Sequence, residues 1–273
     1  LTQVISLGAG VQSTTMFLMA CHGEIEPKPD FAIFADTGWE PKKVYKHLEW
    51  LKTKAYEFGV PIITVQKSNI RDDLLTAVDA DVQSKNQVRF ANFPFFVKNK
   101  DGSISMLKRQ CTKEYKIEVI QKAIREQIGY QPRQRIKEKV VEWIGISTDE
   151  IMRVKPSRVS WIEHRWPLIE LGMNRLDCMN WLTRNGYPIP PKSSCIGCPF
   201  HDDRLWLEMK REAPEEWEEA VKVDYEIRKL KRFKNEVYLH RSCVPLDQVD
   251  LRENQMDLFD DGFINECEGM CGV

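Results

Sequence analysis

Short runs of apolar, β-branched or aromatic residues occur at 3–7 (QVISL), 31–35 (FAIFA), 61–65 (PIITV) and 140–146 (VVEWIGI). Between them, apolar residues recur three and four apart over 11–22, 40–58 and 112–129, the spacing of one buried helix face. Strands alternating with helices predict parallel βαβ units and an α/β sheet. Ligands in such sheets gather at the C-terminal ends of strands. Two turns fall there, the Ser/Gly-rich turn at 6–13 and DTGWE at 36–40. Residues 84–107 are less regular and fit either a hairpin turning at Lys100-Asp101-Gly102 or a loop over the site. Beyond 150 the pattern becomes helical and aromatic, with WEEAVKVDYEIRKLKRF the clearest helix, and 244–273 is an acidic, loop-like tail.

Composition narrows the function classes. A chain of 273 residues buries a sizeable core without disulfides or metal. The net charge of −1 argues against a uniformly basic nucleic-acid binder. Locally, however, residues 108–139 hold ten Lys/Arg against four Glu, and 247–268 hold eight acids against one Arg. The basic run is either a face for phosphates or a set of solvated helix faces. No apolar run approaches the roughly 20 residues of a membrane span, and residues 1–20 lack a basic leader, so a cytoplasmic chain with no membrane contact is expected. Eight cysteines, at 21, 111, 178, 195, 198, 243, 267 and 271, point in a reducing compartment to metal or redox chemistry rather than disulfides.

The first turn places Gly8 and Gly10 among the hydroxyls of Ser6, Ser13, Thr14 and Thr15. Glycines admit an anion close to the backbone, and a following helix supplies free N–H groups and a positive dipole end. It is neither a Walker loop nor a dinucleotide fingerprint, and an ordinary tight turn fits it equally well. Asp36 could cap the next helix through an Asx-turn. Cys195 and Cys198, in Cys-x2-Cys spacing, can present two thiolates to one ion or cluster. Cys267 and Cys271, four apart on the acidic tail, suit a redox pair or a persulfide carrier, although acidic neighbours raise a thiol pKa.

Together these segments resemble a known family. SLGAGVQST is similar to the PP-loop of the adenine nucleotide alpha-hydrolase superfamily, with Gly8, Ala9, Gly10, Gln12, Ser13 and Thr14 on the loop positions. Gly8 stands for the family's first Ser, Ala9 for a Gly and Gln12 for its Asp. FADTGWEP resembles the second strand-end motif of the branch similar to phosphoadenosine phosphosulfate (PAPS) reductases, and would set Asp36 and Thr37 beside a nucleotide. KRQCTKEYK resembles the branch's segment with a Cys at a helix start, making Arg109 and Lys116 candidates for phosphate or sulfate. GISTDEIMRVKP resembles its later strand and helix, with Arg153 a phosphate contact. In cluster-bearing relatives a Cys-x2-Cys and earlier cysteines hold a 4Fe–4S cluster. The matching ligands here are Cys111, Cys195 and Cys198, with Cys178 as the fourth and His201 and Cys243 in reserve; structural zinc is the alternative.

The resemblance implies a HUP-like PP-loop domain over 1–160, with a five-stranded, mainly parallel sheet flanked by helices. A helical, cysteine-rich region over 161–273 would pack on its active face. The implied activity is that of an ATP pyrophosphatase using ATP with Mg²⁺ to adenylate a nucleic-acid oxygen for sulfur insertion, as in DNA phosphorothioation or tRNA thiolation. Its sulfur would come from a donor such as a cysteine desulfurase. Two other readings stand beside it: a sulfonucleotide reductase with Cys267 as nucleophile, and a non-catalytic nucleotide-binding zinc module.

Overall fold

The computed structural model describes residues 1–83, 93–231 and 233–251. Strand β1 (Thr2–Leu7) is almost wholly buried, and its side chains alternate between two cores. Val4 packs on one face of the sheet, and Ile5 and Leu7 on the other, as a period-2 strand covered on both sides requires. The chain continues through α1 (Val11–Cys21), β2 (Phe31–Asp36), α2 (Lys42–Phe58), β3 (Ile62–Gln66) and α3 (Ile70–Gln83). A small hairpin follows, β4 (Phe96–Lys98) and β5 (Ile104–Met106), then a π-helical turn at Lys113–Ile117 running into α4 (Glu118–Gln127). Next come β6 (Val140–Ile144), a 3-10 segment at Thr148–Arg153, and β7 (Ile162–Arg165). The remaining elements are α5 (Pro167–Glu170), α6 (Arg175–Arg184), α7 (Asp203–Glu212), α8 (Pro214–Ile227) and β8 (Val237–Tyr238).

The main sheet has five strands in the order β3-β2-β1-β6-β7, and every pairing is parallel. Four of these strands match the apolar runs of the sequence to within two residues. The fifth, β7, lies past the expected boundary at 160, in a stretch read as helical and aromatic. Its four residues IEHR alternate buried and less buried, too short a run to show a period. Pairing with β6, Val140 opposite Ile162 and Glu142 opposite His164, makes it a strand. Of the segment 84–107, read as a hairpin or a loop, 84–92 lie outside the described residues and the rest is the hairpin: β4 and β5 pair antiparallel around Lys100-Asp101-Gly102, and β8 joins the other side of β4.

Helix α1 is buried from Val11 to Ala20, because the sheet, α2, α5 and α6 enclose it. Its hydroxyls are satisfied inside: Thr15 donates to the Val11 carbonyl (2.8 Å), and Thr14 Oγ1 lies 3.1 Å from His47 Nε2. On the opposite face α4 packs Ile120, Ala123 and Ile124 against Val4, Ile33 and Val140. A third core joins Trp39, α3, α8, Trp206 and the small sheet. The strand order reverses at β1, between β2 and β6. This is the topological switch point, where the loops after β1 and β6 diverge and leave a crevice.

Candidate functional site at the strand ends

The turn after β1 is the tightest feature of the switch point. Ala9 adopts φ 58°, the left-handed region that an L-residue enters at a cost, and it is fully buried. Gly10 is the N-cap of α1 with extended backbone and no side-chain cap, and the first turn of α1 holds no acid. Ser13 folds back so that its Oγ accepts from Gly8 N (3.2 Å). Ser6 Oγ, two residues upstream, is buried and makes no hydrogen bond among the described residues. Thr14, expected at the nucleotide, instead faces His47. Burial lowers the pKa of His47 to about 4, so its ring is neutral.

Gln12 turns across the switch point. Its Nε2 donates to Glu150 Oε2 (3.1 Å) and Ser147 Oγ (3.4 Å) in the segment after β6, and its Oε1 accepts from Arg175 Nη1 (2.9 Å) at the start of α6. Arg153 donates to the other oxygen of Glu150. Of these partners, the sequence pattern singles out only Arg153; Ser147, Glu150 and Arg175 carry no motif of their own. No local pattern marks them, because they meet Gln12 across 135 to 163 residues of chain.

The turn after β2 is built by Asp36, whose Oδ1 accepts from Gly38 N (2.7 Å) and the Tyr45 hydroxyl (2.8 Å). One carboxylate oxygen of Asp36 is therefore committed to an Asx-turn. Burial, together with the bond to Asp36, pushes the Tyr45 phenol up in pKa. Thr37 donates to Glu40 Oε1 (3.1 Å), and its Oγ1 lies 3.3 Å from Cys195 Sγ. Cys195 Sγ is also 3.9 Å from Glu40 Oε1. Lys116 Nζ stands 3.5 Å from the same oxygen, with the Glu40 side chain fully buried and that of Lys116 5 % exposed. Glu40, the last residue of the DTGWE motif, is thus the hub joining Thr37, Lys116 and Cys195.

The segment 193–198 closes over both strand ends. Ser193 donates to the Gly8 carbonyl, Ile196 N donates to the Trp39 carbonyl (2.9 Å), and Cys198 N donates to the Cys195 carbonyl (3.0 Å). Arg109 lies over the Phe200 ring at 5.0 Å, and Cys111 and Cys195 pack against the same apolar cluster. The expected sites at 8–13, 37, 109–116, 153 and 195–198 therefore converge from separate parts of the chain.

Cys178 does not converge with them. It is fully buried in the core between α1 and α6, a different cluster from that of Cys111 and Cys195, and Thr15 Oγ1 lies 3.4 Å from its carbonyl. It packs there as a small apolar side chain, away from the cluster of Cys111 and Cys195 where a fourth ligand was expected. Among the described residues, no three His, Cys, Asp or Glu side chains stand together as a metal site. Cys178 therefore packs apart from Cys111 and Cys195. Cys267 and Cys271 lie outside the described residues.

One cleft, of about 420 Å³, is not over the loop. It lies behind the cysteine segment, between Lys42, Lys43, Lys192, His201 and Met209. His201 Nε2 lies 2.8 Å from Ser194 Oγ, and burial, aided by Lys192 and Lys43, lowers its pKa to about 3. The arrangement holds the segment from behind with a neutral ring. No helix among the described residues is long and apolar enough to cross a membrane. Comparison of the chain with protein-family models and with curated proteins gives no match.

Proposed function

We propose that the chain is an adenine-nucleotide-dependent sulfur-transfer enzyme of PP-loop type, with the nucleotide phosphates at the Gly8–Ser13 turn and Cys195 as the sulfur-bearing residue. One observation carries the reading. A single short segment bonds the phosphate-type turn through Ser193 and sets the Cys195 thiol 3.3 Å from Thr37 Oγ1 at the next strand end. Free N–H groups of an uncapped helix suit phosphate oxygens, and a thiol one strand away suits attack on what those phosphates activate.

In the reaction, an oxygen of the acceptor attacks the α-phosphorus of ATP and pyrophosphate leaves, its charge stabilised by the loop N–H groups and nearby guanidiniums. A persulfide sulfur carried on Cys195, supplied by a desulfurase-type donor, then displaces AMP from the adenylated acceptor. A second thiol such as Cys198 closes a disulfide with Cys195 and leaves the sulfur on the acceptor. Exposed Arg133, Arg135, Lys137 and Lys139 continue the basic run, and suit a DNA or tRNA acceptor.

The test is incubation of the wild type and Cys195→Ser with ATP, with and without DNA or tRNA, and separately with PAPS. Pyrophosphate release that depends on nucleic acid, with sulfur incorporation lost in Cys195→Ser, supports the proposal. Sulfite from PAPS would select the sulfonucleotide-reductase reading, and nucleotide binding without turnover would leave only a binding module.

A further inference from the structure

We infer that Gln12 is a positioning residue that fixes Arg153 and Arg175 as a guanidinium pair for the phosphate chain of the nucleotide; the inference rests on the nucleotide reading above. Gln12 is 1 % exposed, and its amide is the centre of a relay from Arg175 through Gln12 and Glu150 to Arg153. Asp149 closes the relay, accepting from the Ser147 hydroxyl and from the Arg175 backbone N–H (3.3 Å). The relay ties the first turn of α1, the segment after β6 and the start of α6 across the switch point.

The chemistry of the relay dictates the residue type. Position 12 must donate to a carboxylate on one side and accept from a guanidinium on the other, and an amide of this length does both. A carboxylate there would face the buried carboxylate of Glu150, and an ammonium would face Arg175. Both arginines are partly buried, so their side chains lose less freedom on meeting an anion than exposed ones would. Through Gln12 and Glu150 they are tied to a helix start that has neither an acid nor a side-chain cap. Arginine pairs held this way recognise phosphate by forked, charge-assisted hydrogen bonds.

The experiment is calorimetric titration of the full chain with ATP, ADP, AMP and adenosine, with circular dichroism as the folding control. The wild type is expected to bind more tightly with each added phosphate. Arg175→Gln, Gln12→Glu and the neutral, near-isosteric Gln12→Met should each weaken ATP by about tenfold or more while adenosine changes little. The double variant Q12E/E150Q reverses the donor and acceptor without changing net charge, and should recover ATP binding to within about threefold of wild type. A purely structural role would weaken ATP and adenosine alike and would overturn the inference. So would a folded Gln12→Met with wild-type ATP affinity, or a double variant as weak as Gln12→Glu. If the wild type binds none of the four ligands, and PAPS does not bind either, the nucleotide reading itself fails.

Discussion

Gly197 lies against the indole of Trp39 so closely that a β-carbon at 197 would stand 2.1 Å from Cη2 and 2.7 Å from Cζ3. The contact seats the Cys-x2-Cys segment on the turn after β2, beside the Ile196 N–H bond to the Trp39 carbonyl. Gly197→Ala is expected to cost about 1–3 kcal/mol through overpacking and to lift Cys195 away from Thr37. Denaturant unfolding and the rate of thiol alkylation would check this. Unchanged stability together with an unchanged alkylation rate would refute it. Trp39→Leu in the same chain should return part of the loss.

The left-handed Ala9 makes a contrasted prediction. Glycine there relieves about 1–2 kcal/mol of backbone strain. It also gives up a buried methyl worth about 0.8 kcal/mol and frees the unfolded chain by about 0.4–1 kcal/mol. Ala9→Gly is therefore expected to be neutral to within about 1 kcal/mol. Ala9→Val should cost more than about 2 kcal/mol, since a β-branched residue tolerates neither the conformation nor the enclosed site. Equal stabilities of the two variants would contradict the conformation at position 9.

Glu40 and Lys116 form a buried pair. Removing a carboxylate from beside a buried ammonium costs about 3–5 kcal/mol, so Glu40→Gln is expected to lower the unfolding midpoint markedly. E40Q/K116M, which removes both charges, should recover most of it. A single variant as stable as wild type would show that the pair contributes little to folding.

Two histidines are expected to give pH dependences of opposite sign. Burial alone would lower the pKa of His164, but Glu142, 3.6 Å from Nε2, and the Lys155 carbonyl at Nδ1 raise it above the ordinary 6.5. Its stabilisation is complete below the unfolded value and is lost as pH rises through the folded one. His47, lowered to about 4 by burial, must stay neutral, so its site loses stability as pH falls below 6.5. The stability gap between wild type and His164→Gln should thus be wider near about pH 5.5 than near about pH 8.5, and the gap for His47→Gln narrower. Urea unfolding at the two pH values decides it, and gaps of the same sign of change would count against these environments.

Cys178 should behave as core rather than ligand. Cys178→Ser is expected to cost about 1–3 kcal/mol by burying a hydroxyl, and Cys178→Ala should leave the metal content of anaerobically purified protein unchanged. Loss of metal in the alanine variant would return Cys178 to a ligand role.

Local sequence was enough for most strands and helices of the first half, though not for α3 (Ile70–Gln83). Period-2 and period-3.6 patterns are local, and they placed β1, β2, β3, β6, α1 and α2 to within two residues. It also marked the Ser/Gly turn, DTGWE and the paired cysteines, because glycine, Asx-turn and Cys-x2-Cys signals are local chemistry. Strand β7 was invisible, since four mixed residues become a strand only through the ladder with β6. The partners of Gln12 were equally invisible, because the amide's usefulness depends on Glu150 and Arg175 arriving across the switch point. Cys178 and Cys195 are 17 residues apart in sequence, yet packing sends one into the core beneath α1 and the other to the strand ends. Local chemistry along the chain sets which residue types are at hand and where the chain turns. Tertiary structure settles which of them meet, because burial in separate cores parts neighbours in the chain as readily as it joins residues far apart.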